Sequence, residues 1–390
     1  MSMTFTEEQD EFRKNVRRFL EQKSSPADVR RLMETDEGYD PAVWQQMAEQ
    51  LGLQGLALAE EYGGSGYGFI EQIAVLEEMG RALLCAPYFS TVALAGTALV
   101  QSGDDAAKRD LLPGIADGST IATLAWVENP TEWGTGSLST TAKRSGHDYT
   151  IDGTKTLVLD GHTASLILVI AQADGGPSLF AVDAPASGLT RRKLETLDMT
   201  RKVAALEFAG TPARLIADEG AAAGILERTL RLAAVALAAE QVGAAQKCLD
   251  MSVEYAKLRV QFGRPIGSFQ AIKHKCADML LEVESARSAA YYAAWAAADG
   301  SDELPLVASL AKACCSDAFA NAATENIQIH GGIGFTWEHD AHLYYRRAKS
   351  TEQFLGSPSE HRDLLAQRLL AGEGSSRWSP NARLFRHGGG

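Results

Sequence analysis

What this chain lacks narrows its function before any motif is weighed. Its 390 residues include only five cysteines (Cys85, Cys248, Cys276, Cys314 and Cys315). The number is odd, and adjacent Cys314 and Cys315 have no metal-ligand spacing, so buried thiols are expected rather than a disulfide framework or metal site. The eight histidines show no HxxxH pairing. No metal is expected. Positive charge is in deficit, with 37 Lys and Arg against 50 Asp and Glu for a net charge of -13. That balance argues against a general nucleic-acid binder or a protein of anionic membrane surfaces. No apolar run of about 18 residues is present, so no membrane insertion is expected. The opening Met1-Ser2-Met3-Thr4-Phe5 is unlike a signal peptide, and the expected location is cytoplasmic. Neither a GxGxxG Rossmann unit nor a GxxxxGK[ST] phosphate loop occurs, which argues against nicotinamide and nucleoside-triphosphate sites.

What is present changes texture twice. Residues 1–115 carry helical periodicity, opening with a capping pattern at Thr6 and broken by the loop composition of Glu60–Gly68. Residues 116–222 hold short runs rich in Thr, Val, Ile and Leu between Gly-containing turns, the mark of antiparallel strands. Ile151-Asp152-Gly153-Thr154 reads as a hairpin turn in a small β-barrel or sandwich. From 223 to 371 long Ala-rich helices return, four of them, as in a bundle. A loose tail is expected over 372–390. The expected fold class is α+β: an N-terminal helical domain, a central β-barrel domain and a C-terminal four-helix bundle.

Two segments suggest a ligand. Gln328-Ile329-His330-Gly331-Gly332-Ile333-Gly334-Phe335 sets glycines beside a Gln and an aromatic, which lets backbone approach a flat polar ligand. Arg259-Val260-Gln261-Phe262-Gly263-Arg264-Pro265-Ile266-Gly267-Ser268-Phe269-Gln270 makes the same suggestion independently. Together with Glu61-Tyr62-Gly63-Gly64, the opening Glu-Glu-Gln helix, Leu343-Tyr344 and Arg347-Ala348-Lys349, and with the order of the three textures, these segments give a sequence that resembles the acyl-CoA dehydrogenase family over roughly residues 5–370.

That resemblance implies FAD-dependent α,β-desaturation of an acyl-CoA thioester, with a carboxylate taking the α proton and hydride leaving to the flavin. It further implies electrons passed to an electron-transfer-flavoprotein-like acceptor, and a tetramer holding FAD at a subunit interface. By matching position, Arg259 and Phe262 fall near the FAD diphosphate and adenine, and Phe269 and Gln270 on the adenine side. Gln328, Ile329, His330, Gly331 and Gly332 form the diphosphate-binding segment, and Ser357 and Ser359 follow the catalytic loop. Each has a plainer reading: Arg259 at a helix end eases the helix dipole, Phe269 packs in a core, and Ser359 caps the last helix.

The departures matter as much. Where family members read Trp-Ile-Thr-Asn-Gly, this chain has Leu157-Val158-Leu159-Asp160-Gly161, without the flavin-facing aromatic and hydroxyl. The usual Thr-Glu-Pro-Gly-Ala-Gly-Ser-Asp loop is altered around Val127–Gly136, where Trp126 or Trp133 stacks near the ring or only anchors the loop. The usual catalytic glutamate falls at Leu355, and the alternative family position falls at Ala233. Glu240, two turns beyond Ala233 and flanked by apolar residues, is then the leading candidate base with a raised pKa, with Glu352 and Glu338 behind it. A Glu bonding a neighbouring helix is the plainer reading of Glu240. Two readings follow: a complete dehydrogenase with a relocated base, acting on a branched, cyclic or dicarboxylic acyl-CoA in a homotetramer, or a base-lacking, FAD-contacting subunit of a heterotetramer with a related chain. A flavin monooxygenase of the same fold is a distant third.

Overall fold

The boundaries between textures are set by turns rather than linkers. The computed structural model describes residues 5–130, 133–134, 138–146 and 148–370. The expected tail over 372–390 and parts of the altered loop lie outside them. Helix α1 (Glu7–Lys23) starts at Thr6, whose side chain and that of Gln9 cap each other's backbone N–H groups. Helices α2 (Pro26–Met33), α3 (Pro41–Leu51) and α4 (Phe69–Arg81) follow. A π-helical segment, Phe89–Gly96, then runs into α5 (Thr97–Ser102), and α6 (Asp105–Ala116) ends the helical region.

The middle of the chain is one seven-stranded sheet. Its strands are β1 (Ala122–Ala125), β2 (Thr141–Ser145), β3 (Asp148–Leu159), β4 (Leu166–Ala173), β5 (Gly176–Asp183), β6 (Leu189–Lys193) and β7 (Val203–Ile216). The path β4-β2-β3-β7-β5 returns to β4 through eight β4–β5 pairs, so the sheet closes on itself as a barrel. Strand β1 adds a parallel edge to β4, and β6 pairs with β7. One expectation needs correcting. Ile151–Thr154 is not a turn: β3 runs straight through it, with a register shift against β7 between Ile151 and Gly153. The Asp-Gly pair makes a bulge, which that dipeptide serves as readily as a hairpin turn. The long β7 escapes sequence reading because Gly210 and Pro212 interrupt it and half its residues face outward.

Helices α7 (Ala222–Leu258), α8 (Gln270–Ala298) and α9 (Leu304–His330) form the body of the C-terminal domain, with α11 (Pro358–Leu370) packed on α9. A fifth helix, α10 (Ala341–Gln353), also lies on α9 and points its C-terminus back toward the barrel. Helix α7 is buried along much of its length because α9 and α8 pack on it and α4 from the first domain lies against it. The two cross with almost no space between backbones. A Cβ on Gly80 would come within 1.9 Å of the Glu240 carbonyl oxygen, and one on Gly243 within 1.8 Å of that of Glu77. Only glycine permits this approach. It fixes the height of Glu240 relative to the first domain.

Candidate functional site

The candidate residues separate into two places. The first is one end of the helical domain, where α7 stops, α8 begins and α9 stops. The two-residue strands Val260–Gln261 and Arg264–Pro265 make a tight hairpin there, with Phe262 at its tip in a left-handed conformation (φ 55°). Phe262 is 90% exposed and meets Phe269 edge to face at 6.0 Å, while Arg264 lies over the Phe269 ring. Phe269 is therefore half-buried in a surface aromatic cluster rather than in the core. Arg259 follows the last turn of α7, exposed and without an ion pair among the described residues. Gln270 is exposed as the first residue of α8.

Tyr255 of α7 stacks on His330 of α9 at 4.3 Å, and His339 closes on the other side at 4.4 Å. This brings the second motif beside the first. Gln328 is exposed, Ile329 sends its side chain into the core, and His330 is buried. Burial pushes the His330 pKa below its usual value, so it is a neutral ring at neutral pH. Gly331 adopts φ 65°, and a Cβ on it or on Gly332 would meet no heavy atom within 4 Å. The backbone here is open to a ligand. An unpaired Arg, exposed aromatics and uncovered backbone form a fitting seat for the diphosphate and adenine of a dinucleotide.

The second place is a cleft of about 470 Å³ between the barrel and α10. Trp133, Leu157, Leu159, Val203 and Phe354 give it apolar walls, and Arg201 stands at one side. It is separate from the first place: Lys312 of α9 holds the cleft's edge, and His330 lies eighteen residues further along the same helix, roughly 27 Å away at 1.5 Å per residue. Trp133 and Phe354 on the cleft wall belong to an aromatic series running from Trp126 to Trp133 (6.2 Å), Phe354 (5.7 Å) and Phe89 (5.9 Å). Trp126 also donates to the Trp133 carbonyl (3.2 Å), so the altered loop is anchored by its own tryptophans.

The loop expected to carry the base is well held but carries no acid. Leu355 is buried, in a left-handed conformation (φ 64°). The buried Lys312 ammonium donates to the carbonyls of Glu352 (3.2 Å) and Gly356 (3.0 Å), one on each side of it. His361 donates from Nε2 to the Leu355 carbonyl at 2.9 Å. Burial depresses the His361 pKa to about 4. Ser357 is the N-cap of α11, exchanging hydrogen bonds with Glu360 (2.7 and 3.3 Å), and Ser359 is exposed inside the helix. The capping role expected of Ser359 therefore belongs to Ser357, because Pro358 opens the helix.

Glu240 requires the main correction. It is buried, but both its oxygens accept from Arg201 Nη2 (2.7 and 2.6 Å) and one also accepts from Arg347 Nη1 (2.8 Å). Burial alone would raise its pKa; the two guanidinium groups outweigh it and hold the carboxyl below its ordinary value. The raised pKa expected of a base is absent. Arg347 is fully buried and also bonds Asp198 (2.7 Å) and Thr200 (2.5 Å), so Glu240 belongs to a network joining the barrel to α7 and α10. Ala233 is buried without a polar atom to offer. Glu338 is exposed, and Glu352 pairs with Lys349 at 2.9 Å. Sequence reading missed Arg201: one of two adjacent basic residues before β7, it is unremarkable until the fold brings Glu240 to it.

Family models for the N-terminal, middle and C-terminal domains of acyl-CoA dehydrogenases match residues 6–119, 124–210 and 223–370. The chain belongs to the acyl-CoA dehydrogenase family. Among relatives, the acyl-CoA dehydrogenase IpdE2 of Mycolicibacterium smegmatis is 36% identical over 355 residues, covering 91% of this chain and 96% of its own length. Among solved structures, the Tcur3481–Tcur3483 steroid acyl-CoA dehydrogenase superposes with a TM-score of 0.84 at 32% identity, covering 94% of this chain and 99% of that one. The ChsE4–ChsE5 complex from Mycobacterium tuberculosis gives 0.86 at 29% identity, covering 95% and 99%. This acyl-CoA dehydrogenase is thus an enzyme of lipid metabolism with FAD as its cofactor. No described helix is long and apolar enough to cross a membrane.

Proposed function

We propose that this chain is the base-lacking, FAD-contacting subunit of a mixed acyl-CoA dehydrogenase assembly. The observation that carries the reading is Leu355: a buried alkyl side chain occupies the position of the base, on a loop pinned by Lys312 and His361, while the buried Glu240 is held ionised by two arginines. Bound FAD supplies the hydride acceptor for the β hydrogen of the acyl thioester. On this chain, Arg259 offsets diphosphate charge, the Gln328 amide and the N–H groups around Gly331 and Gly332 donate to phosphate oxygens, and Phe262 and Phe269 flank the adenine. Gln270, Ser357 and Ser359 are assigned lesser contacts. The α proton goes to a carboxylate on a related partner chain, because among the described residues Glu360 on the cleft wall is held below its ordinary pKa by its hydrogen bonds to Ser357, and Glu240 by two arginines.

The separation of the two places supports the same reading. An intact cofactor end and a base-free cleft on one chain suit an assembly in which the end completes a partner's cleft. Two of the structural neighbours, Tcur3481–Tcur3483 and ChsE4–ChsE5, are paired chains by their own descriptions, which favours a mixed tetramer over a homotetramer. An electron-transfer flavoprotein is the expected acceptor.

The test is to purify the chain alone and together with a family member that carries the glutamate. We expect acyl-CoA to bleach the flavin only in the mixed preparation, with one FAD for each pair of chains. Bleaching by the chain alone would restore the self-sufficient enzyme.

A further inference from the structure

Between Gly331 and Asp340 the chain has almost no core of its own. Gly334 is the one buried residue in that stretch, while Ile333, Phe335 and Trp337 are exposed. Backbone with so few packed side chains is held weakly by burial, so its shape depends on the polar contacts that fasten it. Inside the loop these are local turns: the Thr336 N–H donates to the Ile333 carbonyl (3.1 Å) and the His339 N–H to that of Thr336 (3.3 Å). The His339 ring then returns to His330. Through these turns the placement of Trp337 and Asp340 sets that of the uncovered backbone at Gly331 and Gly332.

Three domains converge on Trp337. Arg30, in the last turn of α2, donates from Nη1 to the Trp337 carbonyl (2.5 Å) and from Nη2 to the Asp340 carboxylate (2.8 Å). His342 of α10 donates from Nε2 to the same carbonyl (3.1 Å) and stacks on the Trp337 ring at 5.0 Å. Arg346 lies over that ring at 5.4 Å and donates to the carbonyl of Leu197, in the segment before β7. Among the described residues, Arg30 supplies every hydrogen bond from the first domain to this loop. Its neighbour Arg31 turns the other way, to Asp28 and Asp40 within its own domain (3.3 Å each).

We propose that Arg30 is a positioning residue for FAD: from the first domain it holds the loop over 336–340, and with it Gly331 and Gly332, in the shape that receives the diphosphate. Without that tether the loop samples other shapes, and affinity falls in proportion to the fraction still competent to bind. The coupling is reciprocal, so bound FAD in turn steadies α2 against the C-terminal domain. The side chains of Arg30 and Asp340 are 24% and 31% exposed, so water and salt screen the pair and the effect is several-fold rather than larger. The inference rests on the proposed seat for the FAD diphosphate at Gln328–Gly332.

The experiment titrates FAD into the cofactor-stripped assembly, read by flavin fluorescence, and follows α2 by hydrogen–deuterium exchange with and without FAD. We expect the Kd for FAD to rise about fivefold in Arg30→Met, with Arg30→Lys, which keeps the charge but not the fork, recovering part of it. Arg31→Met removes the same charge from the same helix and should leave the Kd within about twofold of wild type. In wild type the α2 amides should exchange about fivefold more slowly once FAD is bound, and in Arg30→Met that dependence should vanish. Should Arg30→Met assemble poorly, Arg30→Gln keeps the stem and one donor, and its loss of affinity should be intermediate. An unchanged Kd in the Arg30 variants, an equal loss in Arg31→Met, or α2 exchange indifferent to FAD in wild type would each overturn the proposal. Arg259→Ala separates the two levels. FAD weakened by Arg259→Ala but not by Arg30→Met removes this inference alone, whereas FAD held as in wild type by both variants removes the seat on which it rests.

Discussion

The cofactor end and the cleft are built on the same helices yet have opposite characters. At the end of α7 and α9, aromatic rings and glycine backbone stand exposed with few partners. In the cleft, every charged group near Glu240 has a partner inside the chain, and the aromatic residues contact one another. Exposed, underused groups point outward to something not on this chain. Satisfied ones point to structure. A family motif can therefore keep its fold at a site while losing its reaction there, and the two halves of one ancestral site can diverge independently.

The comparison breaks most readily at Glu240. Replacing it with Gln should cost about 3–5 kcal/mol of stability, the usual consequence of leaving buried guanidinium charge short of its partner. Activity per folded assembly should change by less than about threefold; a drop of a hundredfold or more with intact folding would mark it as a base after all. Next in size is the cleft loop. With its folded pKa lowered to about 4 from an unfolded value near 6.5, His361 takes up a proton more readily in the unfolded chain. Stability should therefore fall as pH drops from about 6.5 toward 4, by on the order of 3 kcal/mol. His361→Phe should flatten that part of the profile measured by denaturant titration.

At the other place the effects are on the flavin rather than on folding. Arg259→Ala should weaken FAD retention by about tenfold or more, read from flavin absorbance per assembly after dialysis, with little change in melting temperature. Phe262→Ala should weaken it less, by roughly 1 kcal/mol of lost ring contact. If instead both variants hold FAD as well as wild type, the exposed end is an interface only.

Much of this division was legible in sequence. The helix–barrel–helix order and the two glycine-bearing motifs depend on local composition or spacing, which a sequence records directly, whereas the missing acid at Leu355 is legible only through the resemblance to the family. The state of Glu240 was not legible. Its apolar flanks on α7 correctly indicate burial, but its charge state is decided by Arg201 and Arg347, 39 and 107 residues away in the chain. Burial alone predicts a raised pKa, and two cations reverse the sign. The bulge at Gly153 is a smaller case of the same kind: Asp-Gly permits a turn or a bulge, and the pairing of β3 with β7 selects the latter.

The glycine crossing of α4 and α7 has one more consequence. Because the Glu240 carbonyl rests where a Gly80 side chain would be, the N-terminal region acts as the gauge against which α7 is set along its axis. The three segments matched by separate domain models are therefore not interchangeable modules. A chimera that kept this barrel and helical domain but took its first 115 residues from another relative would place Glu240, and through it Arg201, at the wrong depth unless the donor also carried glycine at the crossing.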